Sequence, residues 1–214
     1  MEEGKQLYFQ SLEQSLKIIR SIDRLSIEAS VEELCKVQLL KWCYERVENR
    51  PLTVIAEGLL WGDMDVKNVY QKFAELYVPL YAFKGWEQSD LSKNSFLRVI
   101  EELSNVNLFG SDIHEEVTAF SEFLQKHFSG YLSEYSSPIL LCEYIATALD
   151  MEQRESFADP CCGLGGLLLE AVKQNNGYIK VKGYDINQRM TNIANLQMMM
   201  YGLSEGIVEC RDIM

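Results

Sequence analysis

Residues 159 to 166 read Asp159-Pro160-Cys161-Cys162-Gly163-Leu164-Gly165-Gly166, a concentration of glycine found nowhere else in the 214 residues. Glycines at 163, 165 and 166 remove side chains where a backbone must turn sharply, and they let a ligand approach the peptide groups closely. A helix that follows such a turn presents unpaired amides and the positive end of its dipole, so a small, partly anionic ligand is expected there. Asp159, just ahead of the turn, would repel a pyrophosphate but would face an ammonium favourably. The dinucleotide pattern G-x-G-x-x-G also fails, because Leu168 stands where its last glycine belongs. A zwitterion answers both observations, and the methionine end of S-adenosylmethionine suits the turn.

Two further acids follow in order. Asp185 lies 26 residues after Asp159, near the spacing at which nucleoside-binding folds place an acid on the ribose hydroxyls. Ile186 beside it offers a flat apolar contact for adenine. Asp212 is placed to accept a hydrogen bond from the adenine amino group. Singly, each acid reads as an ordinary surface residue at a strand end; together with the glycine turn, at three successive strand ends, they read as a site.

The elements that position these residues alternate regularly. Ser136-Ser137-Pro138 reads as a cap followed by proline at the first helical position, opening a helix through Leu141, Tyr144, Ile145 and Ala148 to about Asp150. The strand Ser156–Asp159, the glycine turn, the helix Leu167–Gln174 and the strand Ile179–Asp185 come next. A helix over Gln188–Tyr201 and a strand over Ile207–Cys210 ending at Asp212 complete the series. This alternation predicts a parallel sheet with crossover helices, and ligands of open α/β sheets bind at the carboxyl ends of the strands.

Before Gly130 the pattern is helical, with apolar residues returning every three or four positions. Leu12, Leu16 and Ile19 share one face, Phe96, Ile100 and Leu103 another, and Val117, Phe120 and Leu124 a third. Turns at Asn49-Arg50-Pro51, Trp61-Gly62-Asp63 and Lys84-Gly85-Trp86 divide the region into five or six helices. Asp112 with Glu115 reads as a capping box. Trp42, Trp61 and Trp86 are expected as core anchors, Met198-Met199-Met200 as the buried face of a helix behind the second strand, and Glu32-Glu33, Glu101-Glu102 and Glu115-Glu116 as solvated helix faces. The expected organisation is therefore an all-helical domain over residues 1–129 followed by an α/β domain over residues 130–214.

Composition narrows the function. Nearly half of the residues are apolar, 47%, enough for a sizeable core. No apolar run approaches the roughly 18 residues that span a bilayer, and the acidic start has no signal-peptide layout, so a cytoplasmic protein without a membrane partner is expected. The six cysteines show no paired metal-binding spacing, and no metal site is expected. His114 and His127, thirteen residues apart on one predicted helix, are too distant to share a metal. The net charge of −12 predicts weak DNA binding by this chain alone, because duplex-binding surfaces carry excess Lys and Arg.

The stretch from Gly130 to Asp212 resembles the start of the methyltransferase domain in modification subunits of type I restriction-modification systems, which methylate the exocyclic amine of adenine in DNA. The turn is similar to that family's Asp-Pro-x-x-Gly-x-Gly-Gly motif. Gly130-Tyr131 with Glu134-Tyr135-Ser136-Ser137-Pro138 resembles the Gly and aromatic-Thr-Pro segment that helps hold the cofactor's methionine end; Ser137 stands where the family usually has threonine. Tyr184-Asp185-Ile186-Asn187 and Ile193-Ala194-Asn195-Leu196, with Gly202, also follow the pattern.

The resemblance implies a helical N-terminal domain, then the first three parallel strands of a Rossmann-like S-adenosylmethionine-dependent methyltransferase domain. It further implies a DNA substrate for the whole protein, a separate specificity subunit that reads the target, and a restriction subunit as a further partner. The family's Asn-Pro-Pro-aromatic tetrapeptide, which grips the target amine, does not occur here. The chain is accordingly read as a truncated piece of a longer protein, inactive in transfer and without a catalytic residue of its own. Methyltransferases acting on RNA, protein or a small molecule, and a non-catalytic interaction subunit, stay as alternatives.

Overall fold

The computed structural model describes residues 2–61, 65–71, 83–106, 112–128, 137–152, 155–176, 179–203 and 207–213. The chain divides into two compact units, Met1–Pro79 with Gly85–Phe123, and Leu80–Lys84 with Leu124–Met214. The division falls near Phe123 instead of at Gly130, and local hydrogen bonds explain the shift. Gln125 Nε2 donates to Ser137 O at 2.8 Å, and Asn192 Nδ2 donates to Lys84 O at 2.8 Å.

The first unit is helical. It contains α1 (Glu2–Ile22), α2 (Ile27–Trp42), a π-helical segment (Cys43–Val47), α3 (Thr53–Trp61), helical residues 66–71, α4 (Lys93–Ser104) and most of α5 (Ile113–Phe128). Ser26 caps α2 through the Ala29 amide and Ser92 caps α4 through the Ser95 amide, as short hydroxyl side chains do at helix starts. Asp112 accepts from the His114 amide at 2.8 Å at the start of α5. Asn49, with φ of 52°, and the following Pro51 end the run from α2 into the π-helical segment. The three apolar faces read from the sequence are all buried.

Two expectations for this unit change. Glu33 and Glu116 are buried, not solvated: Glu33 pairs with Lys36 and accepts from Ser89 Oγ, and Glu116 pairs with Arg46 at 2.7 Å. Trp42 and Trp86 are buried as anchors, with Trp86 Nε1 donating to Glu32 at 3.0 Å; the Trp61 side chain lies outside the described residues. Lys41 has no exposed surface and bonds both oxygens of Glu45 and Val106 O. Burial pushes its ammonium below the usual lysine range, and the Glu45 charge and hydrogen bond oppose that push, as expected for a desolvated cation held by an acid.

The second unit carries α6 (Ile139–Leu149), β1 (Ser156–Asp159), α7 (Gly166–Gln174), β2 (Lys180–Asp185), α8 (Gln188–Met200) and β3 (Val208–Cys210). The strands are parallel in the order β1-β2-β3, with Asp159 opposite Gly183, Gly183 opposite Val208 and Asp185 opposite Cys210. Their carboxyl ends thus fall on one edge. Right-handed crossovers between neighbouring strands put α7 and α8 on the same face, and the two helices touch.

The helix α6 begins at Ile139, with Pro138 as its cap residue instead of its first helical residue, and ends at Asp150 in the left-handed region. It buries Cys142 and Ala146, while Leu141 and Tyr144, two of the apolar residues from which the helix was read, are 46% and 71% exposed. Small side chains face α7 because the two helices approach closely there: a Cβ on Gly166 would lie 3.3 Å from Cys142 Sγ. Among the described residues, no helix is long and apolar enough to cross a membrane.

Candidate cofactor site

The glycine turn folds back over the end of β2. Cys162 N donates to Tyr184 O at 2.9 Å, and Gly165 N closes the turn on Cys162 O at 2.8 Å. Gly163 and Gly165 have φ of 54° and 83°, a region that costs other residues roughly 1–2 kcal/mol. Gly165 is also required by space, because a Cβ there would lie 3.0 Å from Ala194 Cβ. The first backbone bond reaching into α7 is Leu169 N to Gly165 O, so the amides of Gly166, Leu167 and Leu168 have no intrahelical acceptor. That helix end can receive an anionic group.

Asp185 is 7% exposed. Its Oδ2 accepts from Gly163 N at 3.0 Å and its Oδ1 from Asn187 N at 2.8 Å. The acid therefore ties the glycine turn to the end of β2. Each carboxylate oxygen has a second lone pair, so these bonds leave acceptor capacity for a further donor. Beyond β2, Arg211 N donates to Asp185 O at 2.9 Å, which carries the parallel pairing past Cys210.

Asp159 is half-buried at the end of β1, where its Oδ1 accepts from Cys161 N at 3.1 Å. Burial raises its carboxyl above the usual range, the Cys161 amide opposes this, and the charge of Asp185 adds to the rise. A carboxyl whose folded-state pKa is raised contributes stability at pH below its unfolded value and loses it as pH climbs through the folded value. At neutral pH its charge is then a cost to the empty protein. Asp159→Asn should therefore raise the melting temperature at pH 7 by about 1–3 °C, with the gain vanishing near pH 4. Thermal unfolding of both proteins across that range checks this; a variant less stable at pH 7 would contradict it.

The remaining expected residues are placed unevenly. Ile186 is 72% exposed at the end of β2, and Asp212 is exposed two residues past β3. Gly166 is the first residue of α7, and Leu164 is buried. Ser137 and Pro138 are exposed just ahead of α6, while Glu134, Tyr135 and Ser136 lie outside the described residues. The structure gives three further residues a part that the sequence did not assign them. Gly183 sits in mid-β2 within touching distance of three side chains, Asn195 bonds the start of β3, and Gln197 bonds Leu164 O. Their signal was polar residues set among the apolar residues of the helix's second half, and a glycine inside a strand.

Two buried thiols beside the turn are held in the protonated form. Burial, then the charges of Glu170 and Asp159, push Cys142 up to about 11. Burial and the charges of Asp159 and Asp185 push Cys162 higher still. Neither is a thiolate at neutral pH. Chemically, the turn offers open helix-start amides beside two acids, Asp159 and Asp185.

A parallel three-strand sheet with a glycine turn opening α7 is a Rossmann-like arrangement, here preceded in sequence by a helical unit. Residues 107–211 match the family model of the N-6 DNA methylases. A type II methyltransferase of a Vibrio strain, M.VspI, is 26% identical over 119 residues, which cover 54% of this chain and 29% of that protein. The methyltransferase subunit of a type I restriction-modification system from Streptococcus thermophilus aligns with a TM-score of 0.68 at 15% identity, over 95% of this chain and 58% of that one. A Listeria monocytogenes protein assigned as a class I S-adenosylmethionine-dependent methyltransferase aligns with a TM-score of 0.61 at 16% identity, over 97% and 53%. The chain thus spans under a third of the curated relative and somewhat over half of these solved structures.

Proposed function

We propose that this chain forms the S-adenosylmethionine-binding part of a DNA methyltransferase acting on the exocyclic amine of adenine, in a modification subunit of the type I restriction-modification kind. The observation that carries the reading is the Asp185 tie: one buried acid joins the glycine turn to the end of the neighbouring strand. This sets the turn's open amides beside a strand-end acid and an exposed apolar residue, Ile186, the three contacts an aminoacyl nucleoside needs. In this reading the α7 amides take the carboxylate, Asp159 the ammonium, Asp185 the ribose and Asp212 the adenine amine, with Glu134 to Pro138 at the methionine end.

When bound, S-adenosylmethionine supplies an electrophilic methyl group. The residues of this chain orient it and hold its two ends. Adenine would leave the duplex stack to reach it, since the amine is otherwise inaccessible. The 214 residues contain no Asn-Pro-Pro-aromatic tetrapeptide, so transfer is proposed for the whole protein and cofactor binding for this chain. The charge of −12 fits a division of labour in which basic DNA contacts come from a specificity subunit; a restriction subunit is a further proposed partner, and the cytoplasm the proposed location.

Calorimetric titration tests the reading. S-adenosylmethionine should bind with saturating one-to-one heats, and NADH should give none. Equal binding of both ligands, or heats from NADH alone, would replace the zwitterion reading with a dinucleotide one, and silence from both would remove the cofactor reading from this chain.

A further inference from the structure

Every residue of α8 from Met190 to Met200 is buried, including Thr191, Asn192, Asn195 and Gln197. Polar groups removed from water must find partners or cost stability, so the partners of these four side chains show what the helix holds. Thr191 bonds back to Asn187 O, and Asn192 takes Lys84 O. The other two reach the candidate site.

Gln197 Nε2 donates to Leu164 O at 2.6 Å. The amide of the same peptide unit, Gly165 N, donates to Cys162 O at 2.8 Å. That peptide plane, which leads into the cap residue of α7, is therefore fixed at both ends. It is joined through Gly165 to the Gly165–Gly166 peptide, whose carbonyl accepts from Leu169 N, and so it anchors the helix start whose Gly166 and Leu167 amides are open. Ala194 and Met198, on the same helical face as Gln197, close against Gly165, so the contact allows little slack.

Asn195 works on the other side. Its Nδ2 donates to Val208 O at 2.9 Å, and its Oδ1 accepts from Ile207 N at 3.0 Å and Val208 N at 2.8 Å. Three bonds from one 3% exposed side chain fix the start of β3 and its register on β2, and so the strand whose end leads to Asp212. Two residues apart on a helix, Asn195 and Gln197 point in nearly opposite directions.

We infer that Gln197 is a positioning residue for the carboxylate end of the cofactor pocket, acting through the Leu164–Gly165 peptide, and that Asn195 is its counterpart for the adenine end, acting through β3. The inference rests on the cofactor reading above, and it names two residues of α8, neither of them at a strand end, that set the pocket's length. An apolar residue would serve α8 as well for packing. The polar choice is explained by the peptide it fixes.

The test uses Gln197→Met, which keeps the volume but cannot donate, and Gln197→Glu, which sets a carboxylate against Leu164 O. In the ligand-free chain, amide hydrogen exchange at Gly165 should speed up in both variants, with exchange across β1, β2 and β3 unchanged. S-adenosylmethionine and S-adenosylhomocysteine should bind roughly tenfold more weakly, while adenosine, which lacks the amino-acid end, should bind as in the parent. Asn195→Asp should do the reverse, weakening adenosine and the full cofactor alike.

Unchanged exchange at Gly165 overturns the inference. So does an equal loss for adenosine and S-adenosylmethionine in the Gln197 variants, which would make Gln197 a general stabiliser of the unit. Faster exchange at Gly165 in a chain whose parent binds no S-adenosylmethionine would keep the positioning of the turn and discard the cofactor reading.

Discussion

Asp185→Asn should unfold several degrees earlier than the parent and lose measurable affinity for S-adenosylmethionine. The parent carboxylate is nearly buried and receives an amide on each oxygen, Asn187 N on Oδ1 and Gly163 N on Oδ2. An asparagine has one oxygen, so its amino group must face one of those two donors. One buried N–H then loses its acceptor, and the surviving bond is no longer charge-assisted. An unsatisfied buried group costs about 1–3 kcal/mol, and with the weaker second bond the total is about 2–4 kcal/mol, or about 5–12 °C in melting temperature for a chain of this size.

One opposing effect is smaller. Removing the Asp185 charge relieves part of the upward push on Asp159, whose first cause is burial, so most of that cost stays. The affinity loss should be larger than the stability loss alone predicts, about a hundredfold or more, because the variant loosens Gly163 and removes the proposed ribose acceptor together. Thermal unfolding and calorimetry on the same preparation separate the two. A melting temperature within about 1 °C of the parent would show that neither amide depends on the charge.

Much of this architecture was legible because the local patterns were strong. The Asp-Pro lead-in, three closely spaced glycines and a following apolar helix fix a turn wherever they occur, and β1, α7 and β2 fall within a residue of the expected bounds. The helix α6 was legible but its buried side was not: its periodicity is carried by large apolar residues such as Leu141 and Tyr144, whereas close packing on α7 selects the small Cys142 and Ala146. Glu33 and Glu116 were misread because each is buried against a partner distant in sequence, the Ser89 hydroxyl for Glu33 and Arg46 for Glu116, and separations of 56 and 70 residues leave no local trace. The Asp185 tie was half legible. Its place at a strand end was clear, but its two amide donors were not, since they depend on how the turn folds back over β2.

Gly183→Ala shows the same limit and has the second large expected effect. On strand propensity alone the change should help, since glycine inside a strand costs roughly 0.5–1 kcal/mol relative to alanine. Here space decides against it. A Cβ at 183 would lie 2.6 Å from Leu168 Cδ1, 2.9 Å from Val208 Cγ2 and 3.0 Å from Cys162 Sγ, three side chains from α7, β3 and the glycine turn. Leu168 could yield alone by changing rotamer if it had room, but it has no exposed surface, and the β-branched Val208 is stiff at χ1.

Overpacking of this kind costs about 1–3 kcal/mol, so Gly183→Ala should melt about 3–10 °C below the parent. It should also bind S-adenosylmethionine more weakly, because Cys162, pushed aside, carries the amide that docks the turn on Tyr184 O. A double-mutant cycle identifies the cause. Leu168→Ala alone opens a cavity and costs about 2–5 kcal/mol, yet in the Gly183→Ala background the new methyl fills part of that space, so the two losses should add to less than their sum by at least about 0.5 kcal/mol. Strict additivity would mean that the clash falls on Val208 and Cys162 and not on the approach of α7 to β2.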